Sequence, residues 1–314
     1  MISIYKTDSL TTKTTKIEKI EPGCWIDLKN PTPLEVEKIS KELLIDCSFI
    51  NYVLDDDEQP RIDIEEDKKL IILDVPIKIS KRNYTVIDTV PLGLLIVRDE
   101  YLVTISLSEL DIIEDLKNEK VKDFYTYKKS RFTIQVLFRV ATLYLKYLKN
   151  INIEIEKAEE ELFKATKNKE LVRLLTLEKS LVYITTSLKS NLVVLEKIYK
   201  GTIIETFDED NHLLEDAIIE NKQGIEMANL YREILGSMTD SFATIISNNL
   251  NTVMKFLTAI TIVISVPTMV ASFLGMNVPM GIVGEHPLSF LLVSVLSILL
   301  SIVVIVLLKK KDMF

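Results

Sequence analysis

Between Ile2 and Glu109 the chain alternates short apolar runs with polar turns. Ile2–Tyr5, Cys24–Leu28, Leu70–Val75, Thr85–Val97 and Tyr101–Ser106 have strand length and are rich in β-branched and apolar residues, so they are predicted strands. Asn30-Pro31-Thr32-Pro33 reads as a turn, and Thr32 with Glu35 three residues on forms a capping box opening a helix over Leu34–Leu44. A second short helix is predicted over Ser48–Leu54. From about Ser130 the pattern changes to three- and four-residue spacing. Arg131–Thr166 and Lys169–Tyr199 read as long amphipathic helices, the second stopped by Gly201. A third helix begins near Asn211 and meets no proline until Pro267. Gly224 and Gly236 weaken it locally, each by about 1 kcal/mol relative to Ala.

The polar positions then disappear. No Asp, Glu, Lys or Arg occurs from Phe256 to Gly284 or from Pro287 to Leu308. Each stretch exceeds the roughly 20 residues that cross a hydrocarbon core about 30 Å thick, so both are predicted to span a membrane. Met1–Lys19 lacks the apolar segment of a signal peptide, which leaves the long N-terminal part in the cytoplasm. Lys255 stands at the mouth of the first span and Lys309, Lys310 and Lys311 follow the second, whereas Met276–His286 has no Lys or Arg. The positive-inside rule places both termini in the cytoplasm and the short loop outside.

The net charge of −8 argues against a nucleic-acid partner. Glu205–Asp240 holds ten acids against Lys222 and Arg232. A solvated helix face and a cation-attracting surface both account for that composition. Cys24 and Cys47 lack CxxC spacing and read as packing residues of a cytosolic domain. No phosphate-cradling glycine loop, HExxH or nucleophile elbow is present, and His212 and His286 are the only histidines, so an enzyme is not expected.

Along the first span Ser247, Asn251, Met254, Thr258, Thr261, Ser265, Thr268 and Ser272 recur at alternating four- and three-residue steps. This 3.5-residue period keeps one face toward a partner in a left-handed bundle. Two functions fit that face. Ser and Thr pack closely at membrane helix contacts, or several copies of the helix present rings of hydroxyl and amide groups to a wet pore. The unbroken register favours the pore. Pro267 removes one backbone bond and bends the helix in its outer third.

Phe273-Leu-Gly-Met-Asn277 closes the first span. Here the chain resembles the CorA family of magnesium/cobalt transporters, whose mark is Gly-Met-Asn at the end of the first of two C-terminal membrane helices. Asn251-Thr-Val-Met-Lys-Phe-Leu-Thr258 is similar to the family's entrance to the membrane. Trp25-Ile-Asp-Leu with Pro31-Thr32, and Gln59-Pro-Arg61, are similar to its early elements. The resemblance implies an α+β membrane protein: an N-terminal cytoplasmic α/β/α domain, a long helical stalk and two transmembrane helices, assembled as a homopentameric funnel in the plasma membrane. The expected divisions are 1–129 for the α/β domain, 130–250 for the stalk, 251–276 for the pore-lining span, 277–286 for the outer loop, 287–308 for the second span and 309–314 for a basic tail.

The same resemblance implies a channel for Mg2+, and for Co2+, with no cofactor beyond Mg2+ as transported and regulatory ion. Gly275, Met276 and Asn277 would form the selectivity filter. Five Asn277 amides would receive Mg2+ still carrying water, an ion that dehydrates reluctantly. Asn251, Met254, Leu257, Thr258, Thr261, Ser265, Thr268 and Ser272 would line the pore, with Met254 and Leu257 as a hydrophobic gate. The family holds cytoplasmic divalent ions between subunits with acids. Asp216 falls on one such position, and the partner position falls near Tyr52, so Asp55 or Asp56 is the candidate substitute. The outer loop departs from the family pattern: Val278–Gly284 carries no acid and Glu285 is the only one. Glu285-His286 reads as a polar loop pair or as a transition-metal ligand pair. The alternatives are a relative moving Zn2+, Co2+ or Ni2+, and a membrane-anchored sensor or scaffold. Zinc favours His or Cys ligands, which the spans lack.

Overall fold

The computed structural model describes residues 1–8, 11–81, 84–164, 168–201, 203–276 and 288–311, with side chains described outside 80–84 and 162–170. The chain divides into two units, Met1–Met238 and Thr239–Phe314.

The first unit is built on a seven-stranded sheet. Its strands are β1 (Ile2–Thr7), β2 (Thr14–Ile17), β3 (Trp25–Lys29), β4 (Arg61–Glu65), β5 (Lys68–Lys81), β6 (Tyr84–Val97) and β7 (Tyr101–Ser106), in the order β2-β1-β3-β7-β6-β5-β4. Only β3 and β7 pair in parallel, with Trp25 opposite Leu102. The five predicted strand regions all lie in the sheet. β2 and β4 were not expected, and they form its two edges. Thr14-Thr-Lys-Ile17 holds a single apolar residue and Arg61-Ile-Asp-Ile-Glu65 alternates over only five positions, and neither buries a residue fully, so both patterns are too short and polar to stand out.

Helix α1 (Pro33–Leu43) opens with the expected capping box. Thr32 Oγ1 accepts from the Glu35 amide at 3.3 Å and Glu35 Oε2 accepts from the Thr32 amide at 2.8 Å. Its end is marked by Leu44 at φ 54°. With α2 (Cys47–Val53) it covers the sheet face carrying Cys24, Ile26, Leu28, Leu70, Ile72, Leu95, Val97, Val103 and Ile105. Gly93 allows this close approach, because a Cβ there would lie 2.5 Å from Val53 Cγ2. Cys24 and Cys47 are free thiols associated with this core.

On the other face the Trp25 ring lies 5.8 Å from Phe124 and 5.2 Å from Phe132 of α4 (Lys129–Lys164). The indole N–H donates to Thr104 Oγ1 at 2.9 Å, and that hydroxyl donates to Asp27 Oδ1 at 2.8 Å. The early Trp-Ile-Asp-Leu element is therefore a packing and hydrogen-bonding unit. A short helix not foreseen, α3 (Asp111–Lys117), supplies Lys117, whose ammonium meets Asp27 Oδ2 at 2.8 Å.

Helix α5 (Asn168–Tyr199) packs with α4 along β5 and β6. Gly201, at φ 77°, ends this stretch as expected. Helix α6 (Asp208–Leu274) begins three residues earlier than the sequence pattern suggested. Asp208, Glu209 and Asp210 fill its first turn, where negative charge suits the positive end of the helix dipole. Buried Asp210 is also held by Arg131 at 3.0 Å, which ties this turn to α4.

Helix α6 continues into the second unit, passes Pro267 and ends at Leu274. Helix α7 (Ser289–Lys310) follows. Its 22 residues give about 33 Å at 1.5 Å per residue, enough to cross a bilayer core. Both apolar C-terminal helices are long enough to span a membrane, and their side chains are mostly exposed in the single chain.

Candidate functional site

The stripe identified in the sequence falls entirely on α6. Asn251, Met254, Leu257, Thr258, Thr261, Ser265, Thr268 and Ser272 are all exposed in the single chain. So are Val253, Phe256 and Met269 on other faces, so exposure alone does not separate a pore from a packing surface. Asn251, Met254 and Thr258 line one shallow open hollow near the start of the span, together with Lys255.

The hydroxyls of the stripe share one geometry, which Thr252 and, on α7, Ser294 and Ser301 also adopt. Thr258 donates to the Met254 carbonyl at 2.8 Å, Thr261 to Leu257 at 2.8 Å, Ser265 to Ile262 at 2.8 Å and Thr268 to Ile264 at 3.0 Å. Each hydroxyl proton is thus turned back onto the helix. What remains on the outer side of each oxygen is lone-pair density. A column of acceptors suits a hydrated cation, whose water protons point outward.

At the outer end, the Gly275 amide donates to the Ala271 carbonyl at 3.0 Å and the Met276 amide to Phe273 at 3.4 Å. Gly275 and Met276 thus close the last turn of α6. Asn277, the loop through His286, and Pro287 lie outside the described residues.

The proposed regulatory acids lie in the first unit. Asp216 is exposed on α6, while its neighbours Leu214 and Ala217 are buried. Asp55 and Asp56 are exposed just after α2, and Asp55 Oδ1 accepts from the Asp57 amide at 3.1 Å, which gives it a turn-forming role. Tyr52 carries the Arg61 guanidinium 5.0 Å from its ring centre, and Arg61 also bonds Glu58 and, at 2.7 Å, Asp63. The Gln59-Pro-Arg61 element therefore builds a local charge cluster. Among the described residues no three His, Cys, Asp or Glu side chains group to hold a metal ion within one chain. The exposed carboxylates are hard oxygen donors of the kind that suits Mg2+.

Several acids of Glu205–Asp240 are already engaged. Besides Asp210, Glu215 accepts from Tyr199 at 2.7 Å, with His212 3.8 Å away on its other oxygen. The contacts with Arg131 and Tyr199 were not legible in the sequence, because those partners lie on other helices.

Residues 21–310 match the family described as CorA-like Mg2+ transporter protein. The chain belongs to that family. A curated CorA relative, the cobalt/magnesium transport protein of Methanocaldococcus jannaschii, is 30% identical over 285 residues, which are 88% of this chain and 86% of that protein. The complete structure of the CorA magnesium transporter from the same organism superposes with a TM-score of 0.85 at 26% identity, covering 100% of this chain and 99% of that one. The soluble domain of CorA from M. jannaschii matches with a TM-score of 0.67 at 28% identity, over 76% of this chain and 95% of that domain. The CorA fold is thus shared from the sheet to the second apolar helix, as the sequence motifs implied.

Proposed function

We propose that this chain carries Mg2+, and Co2+ as a second cargo, through a pore formed where α6 helices of several copies meet in the cell membrane. The observation that carries this reading is the unbroken register of polar side chains along one face of α6. Four consecutive hydroxyls of the stripe turn their protons inward and leave oxygen lone pairs facing out. Membership of the CorA-like Mg2+ transporter family supports the same cargo.

In this reading five copies assemble, both termini stay in the cytoplasm, and the Asn277 amides receive the ion at the outer mouth. Neutral oxygens bond the hydration shell without stripping it, which matches the reluctance of Mg2+ to lose water. Carboxylates at the same place would retain a divalent ion against rapid exit. Asn251 forms an inner polar ring, and Met254 and Leu257 close the passage by excluding water. Cytoplasmic Mg2+ bridges Asp216 of one copy to Asp55 or Asp56 of the next. Without it these carboxylates repel one another and the gate relaxes.

The test is an ion-flux assay on the full chain in liposomes, comparing Mg2+, Co2+, Ni2+ and Zn2+. Mg2+ and Co2+ should pass, and Asn277→Ala should abolish Mg2+ entry while leaving membrane insertion and assembly intact. Normal flux in that variant would remove the filter assignment, and flux of Zn2+ alone would remove the cargo assignment. Asp216→Ala should keep the channel conducting at high internal Mg2+; unchanged inhibition would discard the regulatory pair.

A further inference from the structure

A cavity of the first unit lies between the distal halves of α4 and α5 and the adjoining part of the β5–β6 hairpin. It measures about 890 Å3, within the range of about 300–1,000 Å3 typical of small-molecule sites. Its floor is apolar. Ile87, Ile151 and Leu177 there are buried, and the buried Ser180 hydroxyl already accepts from the Ile87 amide at 3.0 Å. Such a floor offers water few bonds and offers an apolar chain a dry surface.

The rim has a different chemistry. Among the described residues it carries three cations, Lys78, Lys157 and Arg173, against two carboxylates, Glu154 and Glu161. Both carboxylates are engaged by cations of the same rim. Glu154 takes Arg173 at 2.6 Å and Lys157 at 2.9 Å, and Glu161 takes Arg173 at 3.3 Å. Those two bonds hold the Glu154 carboxyl below its usual range. Lys78 lies over the Tyr147 ring, 5.4 Å from its centre, and among the described residues no carboxylate pairs with it. Lys78 is therefore the cation of the described lining that is left for an anion to meet.

An apolar floor beneath a cationic rim selects a molecule with an apolar body and one negative head. We propose that this cavity binds an amphiphilic organic monoanion, a chain carboxylate whose tail lies on Ile87, Ile151 and Leu177 and whose head meets Lys78. Nothing in the ion pathway requires it, so the site is separable from transport.

Thr176, half-buried in the lining, reports on occupancy. The full chain carrying Thr176→Cys, in lipid nanodiscs, is treated with iodoacetamide, and modification of that position is followed by peptide mass spectrometry, which separates it from Cys24 and Cys47. Laurate should slow the reaction several-fold and saturably, whereas acetate, which lacks the tail, should not. Adding Lys78→Glu should raise the laurate concentration needed by about tenfold, the usual scale of a lost charge-assisted contact. The proposal is overturned if laurate leaves the rate unchanged, if dodecyltrimethylammonium protects equally well, or if Lys78→Glu has no effect.

Discussion

The Ser187 hydroxyl donates to Asp74 Oδ2 at 2.5 Å, joining α5 to the middle of β5. Asn191 brackets the backbone of the same aspartate, accepting from its amide at 2.9 Å and donating to its carbonyl at 2.8 Å, and the Tyr144 hydroxyl donates to that carbonyl at 3.1 Å. Burial raises the Asp74 carboxyl above its usual range, and the Ser187 bond offsets this only in part. Tyr144 beside it is raised well above its own range by burial and by the Asp74 charge.

The sign of the resulting pH dependence follows. An unfolded aspartate ionises near 3.9, and the folded one holds its proton to higher pH, so folding takes up a proton between the two values. The stability contributed by Asp74 is full below the unfolded value and is lost as pH rises through the folded one. Asp74→Asn should remove this dependence while keeping an acceptor for Ser187. Thermal unfolding of the full chain in detergent should show the variant equal to or above the wild type at pH 7, with no advantage at pH 4. A deficit at pH 7 that vanishes in acid would contradict the assignment.

Asp27 and Lys117 make the opposite case, a buried carboxylate with its cation in place. Their side chains are 4% and 11% exposed. Burial works to lower the Lys117 pKa, but the bonds to Asp27 and Glu114 outweigh it and the net shift is upward. Lys117→Met leaves Asp27, among the described residues, with the Thr104 hydroxyl alone and should cost about 3–5 kcal/mol, the scale for breaking one side of a buried pair. The double variant Lys117→Met with Asp27→Asn should recover most of the loss. Denaturant midpoints of the two variants decide it, and equal losses in both would sink the pairing argument.

How far these features could be read in advance depends on whether their partners repeat at a local period. The five central strand regions, the capping box of Thr32 and Glu35, and the two apolar helices each carry their signal within a few residues. β2 and β4 do not, because β2 holds one apolar residue and β4 alternates over only five positions between charged side chains. The contacts of Asp74 with Ser187, Asp27 with Lys117 and Arg131 with Asp210 join positions far apart in the chain, and no spacing announces them. The stripe from Asn251 to Ser272 was visible as a period, whereas the inward direction of its hydroxyl protons appears only in the geometry.

Gly224 and Gly236 look alike in the sequence and differ in the fold. A Cβ at Gly224 would lie 3.1 Å from Leu188 Cδ1, while at Gly236 nothing stands within 4 Å. Gly236→Ala should therefore show the full helical gain of about 1 kcal/mol. At Gly224 the same gain is opposed by overpacking, which costs about 1–3 kcal/mol where neighbours do not yield. Thermal unfolding should place Gly236→Ala above the wild type and Gly224→Ala at or below it. Equal gains would mean that Leu188 moves aside freely.

Thr261 and Thr268 lie seven residues apart on α6, and each is back-bonded, to Leu257 and Ile264. In a pore their positions face water, and in a helix contact they face a neighbour's backbone. The back-bond is the same in both cases, so removing the hydroxyl tests only stability, whereas a reactive group in its place tests the surroundings. Thiolates form only where water reaches, so cysteine at either position should react with a charged, membrane-impermeant thiol reagent when internal Mg2+ is low. Raising internal Mg2+ should slow the reaction, because closing at Met254 and Leu257 shuts off access from the cytoplasmic side. Cysteine at Val263, which lies on the opposite face of the helix, should stay unreactive in both conditions. Protection of all three positions at every Mg2+ concentration would assign the stripe to helix packing and leave the acceptor column without a passage to line.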